Sequence, residues 1–176
     1  MLKDDRMATR VKLAQAALDY ITNEELTPRM SCYLATRTGL PLLDSTNGDE
    51  PIKDAVRPCY ACALGSLIYA KFKQDPRPCN EVMADNNSAY AEATFAADHL
   101  SDLFDPIELC HIEIAYEGAI VGYSGLHRSQ QLDDLVEQCE SFFEMHTNED
   151  RARKILRSII NNKGAVVPST FASTEP

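Results

Sequence analysis

The sequence predicts an all-α protein, a single-domain bundle of about six or seven helices around a central apolar helix at 58–73. Three observations carry that expectation. Apolar residues recur every three or four positions along most of the chain. No charged residue occurs from Pro58 to Ala70, and a helix that is apolar all round is buried on all sides. Asp105-Pro106-Ile107-Glu108 is a strong helix start. The 176 residues, 44% hydrophobic and 25% charged, suit one globular domain. Area scaling lets a chain of this size bury about 70% of its unfolded surface, so the core needs no disulfide or metal to complete it. The expected domain spans 1–167, with 168–176 as a disordered tail.

The elements follow in order. Asp4 or Asp5 can cap a first helix running to about Glu25, with Val11, Ala14, Leu18 and Ile21 as its apolar stripe, widened by Leu13, Ala17 and Tyr20. Pro28 is read as the start of a short helix that stops at Gly39. Leu40–Arg57 holds Pro41, Gly48 and Pro51 with little period and reads as a long surface loop. Pro58 at the first helical position opens the central helix, which Pro76 and Pro78 end. A further helix is capped near Asn87 or Ser88, with Phe95, Ala96, His99, Leu100 and Leu103 on one face.

Asp105 then caps a restart, Pro106 takes the first position, Glu108 closes a capping box and Gly118 ends the helix. The AIVGYSGLH segment is a short strand or a tight turn. Leu132, Leu135, Val136, Cys139, Phe142, Phe143 and His146 mark the penultimate helix. Thr147–Asp150 punctuates. Ala152, Ile155, Leu156, Ile159 and Ile160 mark the last helix, which Asn161-Asn162-Lys163-Gly164 closes. Asp133, Asp134, Glu137, Glu140 and Glu144 are read on the polar face of one helix, and Arg151, Arg153, Lys154 and Arg157 on that of the next. Opposite charges are expected to flank their seam.

Charge is distributed unevenly. Residues 1–77 carry a net charge of +1, residues 78–150 a net −15 with the single base Arg128, and residues 151–176 a net +4. A total of −10 argues against direct nucleic-acid binding and against a polybasic membrane module. No uncharged stretch is long enough to cross a bilayer, and MLKDDRMATR lacks the apolar region of a secretory signal, so a cytoplasmic location is expected. The density of acids in the middle zone suggests a surface that meets a basic partner protein. Asp98, Asp102 and Asp105, then Asp133, Glu137, Glu140 and Glu144, recur at helical spacing and are the expected partner-binding residues. The leading expectation is therefore a non-enzymatic interaction protein whose 78–150 region engages a basic surface, plausibly on a nucleic-acid-handling protein. Anti-defence and DNA-mimic inhibitors act in this way. No cofactor and no metal is expected.

The alternative is a thiol-redox enzyme built on Cys59-Tyr60-Ala61-Cys62, a C-x-x-C read at a helix N-terminus where the helix dipole stabilises a thiolate. All-helical peroxidase-reducing enzymes of the AhpD type also use a C-x-x-C, but they place a His four residues after its second Cys, where this chain has Ser66. Cys59 and Cys62 with Cys79 and one of Cys32, Cys110 or His99 make a weak zinc set, because no second paired motif exists. Otherwise the six cysteines read as buried free thiols in a reducing compartment. Glu108-Leu109-Cys110-His111 is a single E-x-x-H, whereas a di-iron bundle needs two. Gly122–Leu126 lacks the last glycine of a nucleophile elbow, and no Walker or dinucleotide motif occurs. The Cys59–Leu67 helix, with Cys62-Ala63-Leu64-Gly65-Ser66-Leu67 at its centre, resembles one found in small uncharacterised bacterial and phage proteins. That resemblance implies a cytoplasmic, mobile-element origin and supplies no catalytic residue.

Overall fold

The computed structural model describes residues 3–30, 33–36, 58–74, 99–118, 134, 136, 137, 139, 142–144 and 146–171. The described chain is mostly helical. Helix α1 runs over Lys3–Thr22 and is followed by two short strands, β1 (Thr27–Pro28) and β2 (Leu34–Thr36). Strand β3 (Pro58–Ala61) leads into helix α2 (Ala63–Gln74). Helix α3 covers Pro106–Glu117. Helical residues at 134, 136, 137, 139 and 142–144 belong to α4. Helix α5 (Asn148–Asn161) precedes a 3₁₀ turn at Pro168–Thr170.

Helix α1 packs against both α5 and α2, and α3 packs against the same two helices. Helix α2 is the apolar centre, as expected. Every residue from Ala63 to Ala70 is buried, and Leu64, Leu67 and Ile68 are among the most enclosed side chains. No helix among the described residues is long and apolar enough to cross a membrane.

Three expectations need correction. First, the protein is not all-α, because the strands form a sheet of order β1-β3-β2. Strand β3 pairs in parallel with β1 (Thr27↔Tyr60, Pro28↔Ala61) and antiparallel with β2 (Leu34↔Ala61, Ala35↔Tyr60). The helix expected from Pro28 is thus replaced by the end of one strand and the whole of another. Second, the central helix begins at Ala63 and Pro58 opens a strand instead. Proline's fixed φ suits extended backbone as well as a helix start, and the long-range pairing decides between them. Third, residues 168–171 of the expected tail are structured, with a 3₁₀ turn at Pro168–Thr170 and Phe171 only 1% exposed, and 172–176 lie outside the described residues. Acids Asp4 and Asp5 lie within the first turn of α1, where negative charge meets the positive helix end. The 40–57 loop, the 119–127 segment and the helix expected near Asn87 lie outside the described residues, apart from His99 and Leu100 at its end.

Close backbone approach fixes how the sheet meets α2. A Cβ built on Gly65 would lie 1.6 Å from the carbonyl oxygen of Tyr33. That distance is far inside contact range, so only glycine lets the chain before β2 cross the first turn of α2. At the other end of the molecule, Lys163 (φ 54°) and Gly164 (φ 94°) turn the chain out of α5. A Cβ on Gly164 would press to 2.5 Å from the Met7 carbonyl.

Arg10 joins these parts. It lies on α1 in register with Ala14, Ala17 and Ile21, and is 1% exposed. Its Nε donates to the Leu103 carbonyl at 2.5 Å. Its Nη1 donates to Glu108 Oε1 at 2.7 Å and to the Gly164 carbonyl at 3.1 Å. Its Nη2 donates to Glu108 Oε2 at 2.5 Å, and the guanidinium stacks over Phe104 at 4.5 Å. A buried charge survives only when paired and hydrogen-bonded, and this fork–fork pair meets that condition.

Two outcomes test this account. Gly65→Ala forces the Tyr33 backbone off α2, and a loss of ~3 kcal/mol or more is expected in chemical denaturation. Arg10→Ala leaves Glu108 Oε1 without its partner, frees the Leu103 and Gly164 carbonyls and empties a filled site, with an expected loss of ~3 kcal/mol or more by the same measurement. A loss below ~1 kcal/mol for either variant contradicts the packing described here.

Candidate functional site

Two places were expected to carry function: the cysteine pair and the acidic stripes. Cys59 lies in β3, and Cys62 is the residue between β3 and α2. Cys62 caps α2 in the manner of a serine. The Gly65 amide donates to its sulfur at 3.3 Å, and the Ser66 amide and hydroxyl both donate to its carbonyl at 2.9 Å. Strand and helix therefore divide the C-x-x-C, which was expected within one helix. Extended backbone advances about 3.3 Å per residue, which spreads Cys59 and Cys62 toward ~10 Å between Cα atoms. A disulfide needs roughly 4.4–6.8 Å. The register passes over Cys59 between Pro58 and Tyr60, marking an irregularity opposite Ala35 and Thr36. A dithiol–disulfide cycle on this pair thus requires the sheet to open.

The remaining described cysteines are free and buried. Burial pushes the Cys110 thiol up to about 12, helped by the nearby Glu113 and Asp105 charges. Burial alone pushes Cys139 up to about 11. Both remain protonated at neutral pH and are poor nucleophiles. His99 is buried against the Phe72 ring at 5.0 Å. No metal-holding group of His, Cys, Asp or Glu occurs among the described residues. Cys32 and Cys79 lie outside them. Glu108, the acid of the E-x-x-H, is committed to Arg10, and burial pulls the His111 imidazole down against the opposing pull of Asp105 and Glu108.

Most of the described acids in the middle zone have internal work. Asp102 pairs with Lys71 at 2.7 Å, and Lys71 also donates to the His99 carbonyl at 2.6 Å, which ties the end of α2 to the turn before α3. Asp105 caps α3 and accepts from the Glu108 amide at 2.8 Å, while Glu108 Oε2 accepts from the Asp105 amide at 2.9 Å. Glu113 and Glu117 are buried, and Glu113 accepts from the Tyr33 hydroxyl at 3.2 Å. Asp150 caps α5 with Thr147, and the hydroxyl bond from Thr147 holds its carboxyl below the usual range.

The seam between α4 and α5 also differs from expectation. Arg151 is buried rather than on the polar face. It donates to the Phe143 carbonyl at 3.0 Å and the His146 carbonyl at 2.6 Å, closing the C-terminal end of α4, and lies 4.2 Å over the Phe143 ring. Burial pulls its guanidinium down, opposed by Tyr116 and Glu117. Arg153 turns to Glu149 at 2.7 Å and to Thr22 at 2.8 Å. The bases expected to neutralise the acidic helix are thus partly spent elsewhere.

Among the described residues, the outer face of α4 is also exposed. Glu137 and Glu144 are exposed, and Asp134 beside them is exposed as well, while Cys139 and Phe142 face the core. Neither Glu137 nor Glu144 has an ion pair among the described residues. Asp98, Asp133 and the side chain of Glu140 lie outside the described residues. Sequence reasoning missed Arg10 and Arg151 as interior residues. The available signal was their helical register, since Arg10 continues the Ala14–Ala17–Ile21 line and Arg151 the Ile155–Ser158 line.

The cysteine geometry sets a measurable outcome. Mild oxidation of the native protein should yield no Cys59–Cys62 bridge in peptide mass mapping, and Cys110 and Cys139 should resist iodoacetamide at pH 7. Because unfolding lowers these raised thiol values toward 9.0, the unfolded chain sheds the protons first. Stability should therefore fall with pH from about 9 upward and reach its full loss above the folded values. A native Cys59–Cys62 bridge would overturn the strand assignment. Comparison with protein-family models, with curated proteins and with solved structures gives no match for this chain.

Proposed function

We propose that the protein is a small acidic interaction protein that engages a basic surface of a partner protein through the outer face of α4. The observation that carries this reading is the pair Glu137 and Glu144, exposed two helical turns apart and free of ion pairs among the described residues. A helix rises 1.5 Å per residue, so the two carboxylates repeat at about 10 Å along one face. Asp134 extends the same exposed surface. The net −15 of residues 78–150 supplies a long-range field that attracts a cationic partner before contact. Asp102 and Asp105 are secondary contributors, because ion pairing and helix capping hold them in place. A nucleic-acid-handling protein has the basic surface this face suits, and occupying that surface would inhibit it.

The test compares the wild type with Glu137→Lys/Glu144→Lys. The wild-type protein should capture its partner from host extract at ~50 mM salt and release it by ~500 mM, where the screening length shrinks to a few ångström. The double reversal should weaken binding at least ~10-fold, mainly through the association rate, with an unchanged unfolding midpoint. Capture that is indifferent to both salt and charge reversal would remove α4 from the interface.

A further inference from the structure

We propose that the C-terminal turn at 165–171 is a detachable strap whose docking holds α4 in place. The strap rests on three helices at once. Its 3₁₀ turn lies against α3. Thr170 bonds to α5 and the residue that caps it, with its Oγ1 2.5 Å from Ser158 Oγ and accepting from Asn162 Nδ2 at 2.9 Å. Phe171 sits with its ring centroid 6.1 Å from that of Phe142 on the inner side of α4.

The attachment rests on three side chains: Thr170, Phe171 and Val166, the last packed half-buried against the core. Phe171 is 1% exposed, whereas residues 165–168 and Thr170 are half-buried and Ser169 is exposed. The Thr170 hydroxyl donates to the Val167 carbonyl at 2.7 Å, so its two remaining acceptor positions face Ser158 and Asn162. The turn satisfies its own backbone: the Thr170 amide donates to Val167 and the Phe171 amide to Pro168. Release therefore leaves no buried backbone group stranded in the strap. Burial of Phe171 and part of Val166 is set against the ordering of seven residues, which brings the docked and released states toward one another in free energy. Ser158 Oγ keeps a partner in either state, because Asn162 Nδ2 also reaches it at 3.2 Å. When the strap leaves, Phe142 keeps His146 at 4.8 Å but loses Phe171, and α4 loses an inner support, while the Arg10 side chain keeps its partners.

Hydrogen exchange read by mass spectrometry on the full chain tests this. Phe171→Ala should raise exchange across 134–146 at least ~10-fold and leave α1 within ~2-fold of wild type. Thr170→Val, which removes the hydroxyl without touching the core, should raise exchange over the same segment by ~3-fold. A chain ending at Val167 should behave as Phe171→Ala does, and a synthetic peptide of residues 165–176 added in excess should restore protection. Uniform loss of protection through α1 and α5, collapse of the Phe171→Ala fold, or failure of the peptide to rescue would each show that 168–171 is ordinary core and not a strap. Unchanged exchange over 134–146 would equally overturn the proposal.

Discussion

A guanidinium with every donor withdrawn from water is tolerable only where acceptors are already in place, and Arg10 imposes that demand on residues far apart in the chain. Its partners lie 93, 98 and 154 positions away. They are the turn before α3, the first turn of α3 and the exit from α5. No single one of these segments can settle while the others are displaced, because each would leave a donor or a carboxylate without a partner in the interior. Glu108 doubles the constraint, since the carboxylate that neutralises Arg10 also closes the capping box with Asp105. Local helix initiation and long-range closure thus meet in one side chain.

The same logic explains how a chain so rich in acid remains compact. Self-repulsion in the middle zone is relieved not by a facing basic helix but by individual assignments: Lys71 to Asp102, Arg10 to Glu108, and backbone amides to Asp105 and Asp150. Arg151 goes to backbone carbonyls and aromatic faces. Among the described residues, Glu137 and Glu144 on α4 are exposed acids to which no such assignment falls. The helix that carries them is held at its C-terminal end by Arg151 and on its inner side through Phe142.

Features that depend on neighbours a few residues apart were legible in the sequence. The Asp105–Glu108 capping box, the start at Pro106, the stop at Gly118 and the boundary at Thr147 are local chemistry, and each stands where it was read. The central burial of 63–70 followed from the absence of charge. The sheet was illegible because strands of two to four residues have no measurable period, and because Pro58 before an apolar run is an equally good helix start. The pairing of Asp102 was illegible for the same reason. That Lys71 meets Asp102 and Arg10 meets Glu108 are tertiary facts, set by residues 31 and 98 positions apart. Phe171 was hidden by its setting, a lone aromatic among small and polar residues near the end of the chain.

The register of the sheet has one more consequence. Thr36 and Pro58 are partners across the β2–β3 pair, so two points separated by the 37–57 segment are held side by side. The β2–β3 pairing by itself closes the chain between these two residues. Chain-statistics arguments make the cost of lengthening such a closed segment grow only logarithmically, by about 0.6 kcal/mol for each doubling. Added length between Thr36 and Pro58 therefore costs little in closure entropy, because the paired strands on either side already hold the two ends together.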